Sequence, residues 1–388
     1  MMKKTTLAIA LMASISGFTH AGGILLHEVA TLDSVSSAGV GNSTNRIDAS
    51  SAITSPAGLT SVEDSSFSLG LQYLDAYSDH NGKGNYSGLS SDGKNASLVP
   101  SLAYAKRVND SWVLGASLHG DGGLGMDYDK GLTGLHFVDD MAQEALNIHF
   151  AAGYQFNDSL SFGGALVIQH IMTSFDVGYT VQGVDLVRVT GEGGSTAASF
   201  ILSAMYDLSD ATYLSANYKH KVDHRGSDID VDVTVGGQQV TRTIQQDVTW
   251  PSRFDLGIHH SLSNELTLKA MTGVELWSQF DDQANNVYSL GAALTYAQND
   301  WVYQAGIKHD TAMYDIDNMS PELAIGANWS LGMGAEKTLS NGHRLGVAYQ
   351  YRDLGTQDVT YGDADGKPYF QGSVDSNRIH VLSMSYAY

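Results

Sequence analysis

The sequence predicts an all-β fold, a transmembrane antiparallel β-barrel of 14 strands with its N-terminal stretch folded into the lumen as a hatch. Three observations carry this expectation. Short Asn/Asp/Ser turns recur at 108–110, 157–158, 208–210, 262–264, 299–300 and 339–342. The runs between them alternate apolar and polar residues with the two-residue period of a strand. The chain also opens with the pattern of a secretory signal.

That opening reads Met1-Met2-Lys3-Lys4, then an apolar stretch from Leu7 to Phe18, then Thr19-His20-Ala21 ending in a small residue. An apolar run of about 12 residues is too short to span ~30 Å of hydrocarbon as a helix. Residues 1–21 are therefore expected to be a signal peptide, 22–64 a hatch, and 65–388 the barrel.

No later segment offers 18 consecutive apolar residues, so no transmembrane helix is expected. Cysteine is absent, which excludes disulfides and cysteine metal sites. The formal charge of −21, or −23 once Lys3 and Lys4 leave with the signal, repels nucleic acid. Glycine (42) and tyrosine (20) are abundant and proline (5) is scarce, as suits an all-β chain.

The six turns join seven hairpins to one another, which gives 14 strands. Their spacing of about 36 to 54 residues leaves room for two strands of about 9–11 residues and one longer loop each. Aromatic residues flank the turns: Tyr104 and Trp112, Tyr154 and Phe162, Tyr206 and Tyr213, Tyr296 and Trp301. This is the pattern of an aromatic girdle at one membrane interface. Leu266, Leu268, Ala270, Val274 and Leu276 alternate with Thr267, Lys269, Met271 and Glu275; Leu345, Val347, Tyr349 and Tyr351 alternate with Arg344, Gly346, Gln350 and Arg352. The charged row should face a lumen and the apolar row lipid. Leu382, Met384, Tyr386 and Tyr388 share one face of a last strand that ends in an aromatic residue, the form of signal that barrel assembly machinery reads. Residues 22–64 fit no strand; the alternatives are a disordered periplasmic tail and a plug within the lumen.

Several features together resemble the FadL-type family of outer-membrane channels for hydrophobic compounds. Asp48-Ala49 precedes Ser55-Pro56-Ala57-Gly58-Leu59, similar to the family's Asp-Ala and Asn-Pro-Ala hatch motif with serine in place of asparagine. Trp277-Ser278-Gln279-Phe280 follows Pro251 as a matching stretch does in the family, and Gly122-Gly123-Leu124 resembles its kinked third strand.

The kink also has a reading of its own. If Asn109-Asp110 is a two-residue turn, position i pairs with 219 − i, so Pro100 falls opposite His119, beside Gly120, Gly122, Gly123 and Gly125. Proline cannot donate to a ladder and glycine weakens one. An unpaired backbone group facing hydrocarbon costs several kcal/mol, so such a break should line a cavity. These five residues are expected to form a side opening between strands two and three; the alternative is an ordinary bulge.

The resemblance implies passive uptake of hydrophobic small molecules, long-chain fatty acids foremost, with aromatic hydrocarbons as the alternative within the family. Gly22, Gly23, Ile24, Leu25 and Leu26 occupy the family's N-terminal ligand-contacting position. Asp48, Ser55, Pro56 and Ala57 belong to the hatch, whose movement would release the ligand sideways into outer-membrane lipid. Lys269, Arg344 and Arg352 are lumen-facing candidates for meeting a carboxylate. The segments 175–196 and 223–246 read as polar, acidic extracellular loops without the helices and greasy groove of the fatty-acid members.

Other chemistry finds little support. Gly120-Asp121-Gly122-Gly123-Leu124-Gly125 matches a dinucleotide fingerprint by letters, but no helix follows it. Asp228, Asp230 and Asp232 imitate a calcium loop without its glycine at position six, and Gln239 stands where glutamate should. Alternation on the wet face of a strand accounts for them better. His259 and His260 point to opposite faces. No catalytic set, metal site or cofactor is expected. A general diffusion porin, a surface receptor or adhesin, and an outer-membrane enzyme are the competing classes.

Overall fold

A computed structural model of the chain describes residues 27–128, 137–181, 184–280, 282–315, 325–362 and 368–388. The expected signal peptide and Gly22 to Leu26 lie outside the described residues.

The strands are β1 (Ser65–Gly82), β2 (Ser90–Arg107), β3 (Trp112–Tyr128), β4 (Phe137–Asn157), β5 (Leu160–Val181), β6 (Val184–Ser209), β7 (Thr212–Lys219), β8 (Val222–Val235) and β9 (Gln238–Trp250). They continue with β10 (Arg253–Ser261), β11 (Leu266–Glu275), β12 (Val287–Gln298), β13 (Trp301–Asp310), β14 (Asn328–Thr338), β15 (Arg344–Asp353), β16 (Gln357–Gly362) and β17 (Pro368–Ala387). β1 to β7, β10 to β15 and β17 close an antiparallel ring of 14 strands, with β17 returning onto β1. Closure gives every strand of the ring a neighbour on both sides among the described residues. At the seam Phe67 and Tyr388 exchange both backbone hydrogen bonds at 3.0 Å.

All six expected turns connect neighbouring strands of the ring. The first departs from the expected two-residue form. Asn109 Oδ1 accepts from the backbone of Ser111 and Trp112, and Val108 N donates to Trp112 O at 2.8 Å. The side-chain bonds of this Asx turn admit a third loop residue. The register therefore shifts by one, with Arg107 opposite Val113 and Ser101 opposite His119. Pro100 is carried to the level of Gly120 rather than His119.

The expected polar loops at 175–196 and 223–246 are instead strands. β5 and β6 stay laddered out to Val181 and Val184, and the β8–β9 hairpin adds to the outer half of β6 through Val187–Gly193. Ile229, Val231 and Val233 are buried, whereas Asp228 and Asp230 are exposed and Asp232 half-buried, opposite Gln245, Thr243 and Thr241. The strand alternation of the aspartates is thus present, but it belongs to a paired hairpin that satisfies its own backbone groups.

Around the ring the outward row is apolar and exposed: Leu69, Leu71, Leu114, Leu166, Leu202, Leu256, Leu290, Leu331, Val347 and Met384. A contiguous apolar belt of this extent marks a membrane surface. Trp112 packs on Tyr154 with ring centroids 4.7 Å apart, and Trp301 on Tyr303 at 6.0 Å, at the short-turn end.

The inward row is polar or small, and the N-terminal segment fills the space it encloses. That segment makes helical turns at Leu32–Ser36, Val40–Thr44, Ser51–Thr54 and Pro56–Ser61. Leu59, Ala52 and Ile53 bury themselves against Ala103, Ala105, Val113, Ala151 and Ile201 of the wall. Full burial of a side chain such as Leu59 contributes about 1.5–3 kcal/mol. Gly163 permits the approach, since a Cβ there would lie 2.1 Å from Ala57 N. The outer half of the interior is apolar, built from Met126, Tyr128, Phe175, Trp250, Trp277, Met313 and Tyr314 among others.

Candidate functional site at the parting of β2 and β3

The ladder between β2 and β3 stops after Ser101/His119 and resumes only at Lys94/Asp127. Each strand keeps its other neighbour through the gap. β2 pairs with β1 along its whole length, Pro100 lying opposite Leu71, and β3 follows β4. The wall therefore parts along one seam without fraying. Two local causes coincide there. Pro100 has no N–H to give. On β3, Asp121 and Gly122 bulge opposite the single residue Ala145, between the pairs Gly120/Leu146 and Gly123/Glu144. Gly122 takes φ +77°, a left-handed conformation that favours glycine.

A cavity of about 190 Å³ occupies the parting. One water needs only ~10–15 Å³ on this scale, so the space is more than a packing defect. Its lining joins two surfaces. Glu28, Gln72 and Ile379 face the lumen, whereas Leu98 (64 % exposed), Leu146 and Met172 face outward. Pro100, Gly120, Gly122 and Gly125 all line it, so four of the five residues expected at a side opening meet there; Gly123 stands in the same stretch of β3, where the ladder to β4 resumes.

The bulge turns Asp121 inward. Its carboxylate pairs with Lys219 of β7 and accepts from Asn147 Nδ2 at 2.7 Å. Beside it the rings of His119 and His149 meet edge to face at 4.6 Å, and His149 Nδ1 lies 3.2 Å from Ala52 O of the N-terminal segment. Sequence reasoning missed this cluster, because its members come from β3, β4 and β7 and share no spacing. The signal it could have used is the lone aspartate among the glycines of 120–125.

Polar bonds tie the N-terminal segment to the wall. Glu28 at the inner mouth of the cavity accepts from Gln350 Nε2 at 3.0 Å, with Lys308 Nζ 4.0 Å away. Burial raises the Glu28 carboxyl, but Lys308, Arg352, the Gln350 bond and His27 together lower it, and the net direction is down. Asp33 pairs with Lys269, and Asp48 with Arg344 at 2.5 Å. Ser55 Oγ donates to Asn217 Oδ1 at 2.7 Å, Ala57 N donates to Ser203 Oγ at 2.7 Å, and Pro56 is buried between them. The three cations considered for a carboxylate ligand are thus engaged by protein carboxylates, Arg352 through Asp310 at 3.1 Å.

The Trp277-Ser278-Gln279-Phe280 stretch forms a 3-10 turn over Trp277–Gln279. Gln279 Oε1 accepts from Ser252 N at 3.0 Å, and Trp277 Nε1 donates to Glu275 at 2.9 Å. The Gln279–Ser252 bond ties the stretch to the residue that follows Pro251.

The model of the family described as outer membrane protein transport protein (OMPP1/FadL/TodX) matches residues 12–388. A long-chain fatty acid transport protein of Escherichia coli O6:H1 is 20% identical over 421 residues, covering 94% of this chain and 93% of that one. Among solved structures, a Pseudomonas aeruginosa FadL homologue superposes with TM-score 0.82 at 16% identity, over 94% of this chain and 99% of its own. The Pseudomonas putida toluene transporter TodX gives 0.69 at 16% identity, over 93% and 98%. With a matching model over nearly its whole length and a barrel closed by the same strand number that its turns predict, the chain belongs to the OMPP1/FadL/TodX family of outer-membrane transport proteins.

Proposed function

We propose that the protein is a channel for passive uptake of hydrophobic compounds, long-chain fatty acids foremost, which leave sideways through the parting of β2 and β3. The observation that carries this reading is the cavity whose lining runs from Glu28 in the lumen to Leu98 on the lipid-facing surface. The ligand enters from the apolar outer half, contacts the N-terminal residues 22–26, and moves past the segment 22–64, which acts as a hatch. Each buried CH₂ contributes ~0.8 kcal/mol, so the gradient from water to membrane suffices as a driving force. A cleaved signal peptide at 1–21 and reading of the C-terminal strand by barrel assembly machinery complete the proposal.

Aromatic hydrocarbons are the second reading. The engagement of Lys269, Arg344 and Arg352 by Asp33, Asp48 and Asp310 favours it, because a ligand without a carboxylate requires none of those pairs to open. The fatty-acid relatives in sequence and a toluene transporter in structure support the two readings respectively.

The test is uptake of labelled oleate and toluene by cells lacking their own transporter. The chain should restore oleate uptake, and Gly122→Trp should abolish it at unchanged surface level. Toluene alone being restored would decide for the second reading. Uptake unaffected by Gly122→Trp would remove the side exit. Large steady ion conductance in planar bilayers would instead identify a general porin.

A further inference from the structure

The inward row of β2 alternates Asn95, Ser97 and Val99 across the parting, and its two ends do something the middle does not. A Cβ built on Gly120 would lie 2.4 Å from Val99 Cγ1, and one on Gly125 would lie 2.6 Å from Asn95 Nδ2. The side chains of Val99 and Asn95 thus occupy the places that β3 side chains would take. Asn95 goes further, since its Nδ2 donates to Gly125 O at 2.8 Å across the seam where the backbone ladder has lapsed. The carbonyl acceptor fixes which end of the amide faces β3. Ser97 Oγ donates to Asn95 Oδ1 at 3.3 Å and holds the other end. Ser97 itself is small, so the free width lies between the two flanking side chains.

We propose that Asn95 and Val99 are a two-point gate that sets the cross-section of what passes through the wall, with the Asn95–Gly125 hydrogen bond as its latch. This rests on the side exit proposed above. An unbranched chain passes beside Ser97 with the latch closed, as β2 and β3 separate slightly at the Val99 end. A branched or ring-bearing molecule must break the latch or displace Val99. Asn95 and Val99 are specificity-determining residues in this account, and neither contributes to the tethers of the N-terminal segment.

The test measures uptake of oleic acid and of the methyl-branched phytanic acid by cells whose only such channel is this chain. Asn95→Ala and Val99→Ala should each raise the phytanate-to-oleate ratio, Asn95→Ala by about fivefold, the factor corresponding to one lost hydrogen bond. Asn95→Gln and Val99→Ile lengthen the same side chains and should lower it. Opposed shifts at equal surface level separate gating from misfolding. Gly122→Trp serves as reference and should suppress both acids. If it does so while the ratio stays at the wild-type value in all four variants, the gate is wrong and the side exit stands. If Gly122→Trp spares uptake, the exit lies elsewhere and the gate falls with it.

Discussion

Arg344 of β15 donates through Nη2 to Asp48 Oδ2 at 2.5 Å, and this bond joins the last quarter of the barrel to the N-terminal segment inside it. Arg344 Nη1 also stands 3.4 Å from Glu336. Breaking a buried pair by removing one partner costs about 3–5 kcal/mol. Arg344 retains Glu336 and is 20% exposed, so Asp48→Ala should cost less, about 1–3 kcal/mol of docking. The barrel should keep its heat-resistant migration in gels while the segment gains protease sensitivity and the channel gains conductance. The double variant Asp48→Ala/Arg344→Met should be no milder than Asp48→Ala, because removing Arg344 also leaves Glu336 without its cation.

The Asp33–Lys269 pair predicts a pH dependence. Burial raises the Asp33 carboxyl, Lys269 and the bond from Gln304 lower it, and the net direction is below the ordinary aspartate range. A group whose folded value is depressed contributes stability that is complete above the unfolded value and is lost as pH falls through the folded one. Amide protection of residues 31–44 should therefore hold from about pH 7 to about pH 5 and fail only below about pH 4. In Lys269→Met the buried carboxyl has lost its cation, so protection should begin to fail at a higher pH. Equal pH profiles for the two proteins would show that this pair does not hold the segment.

Gly163 offers a steric test. A Cβ at this position would meet Ala57 N at 2.1 Å, and the neighbour is backbone that cannot swing aside. Gly163→Val should undock the Pro56–Ser61 turn without preventing barrel closure, which depends on other residues. A cysteine placed at Thr60 (7% exposed in the native chain) should become reactive to a maleimide only in that background.

Phe67 and Tyr388 make the last two backbone bonds of the seam, and their rings stack at 5.6 Å. Deleting Tyr388 should lower the yield of folded barrel in the outer membrane several-fold, read as the heat-modifiable fraction on gels, with little change in the stability of the molecules that do fold.

The sequence makes the ring legible because its signals are local: a turn every two strands and strict alternation between turns. Asp228, Asp230 and Asp232 show where that locality ends. Their alternation identifies a strand, but which strand it pairs with depends on β6, some forty residues earlier. The site is legible where backbone chemistry decides it. Pro100 and the glycines 120–125 mark the parting whatever the register, even though Asn109 Oδ1 adds a loop residue and moves the facing pair by one. Roles decided by long-range pairing are not legible. Lys269, Arg344 and Arg352 face the lumen as expected, yet only the fold brings Asp33, Asp48 and Asp310 to them.

The most direct test of lateral release uses a staple. A Cβ on Gly120 would lie 3.8 Å from Val99 Cβ, the mean separation across a disulfide, about 3.8 Å. The chain has no cysteine of its own, so Val99→Cys with Gly120→Cys places a single reversible bond across the seam of β2 and β3. Oxidised, the variant should take up oleate no faster than cells without the channel, and dithiothreitol should restore uptake within the same cells. Equal uptake in the two redox states, with the bond verified by mass, would contradict exit through the wall.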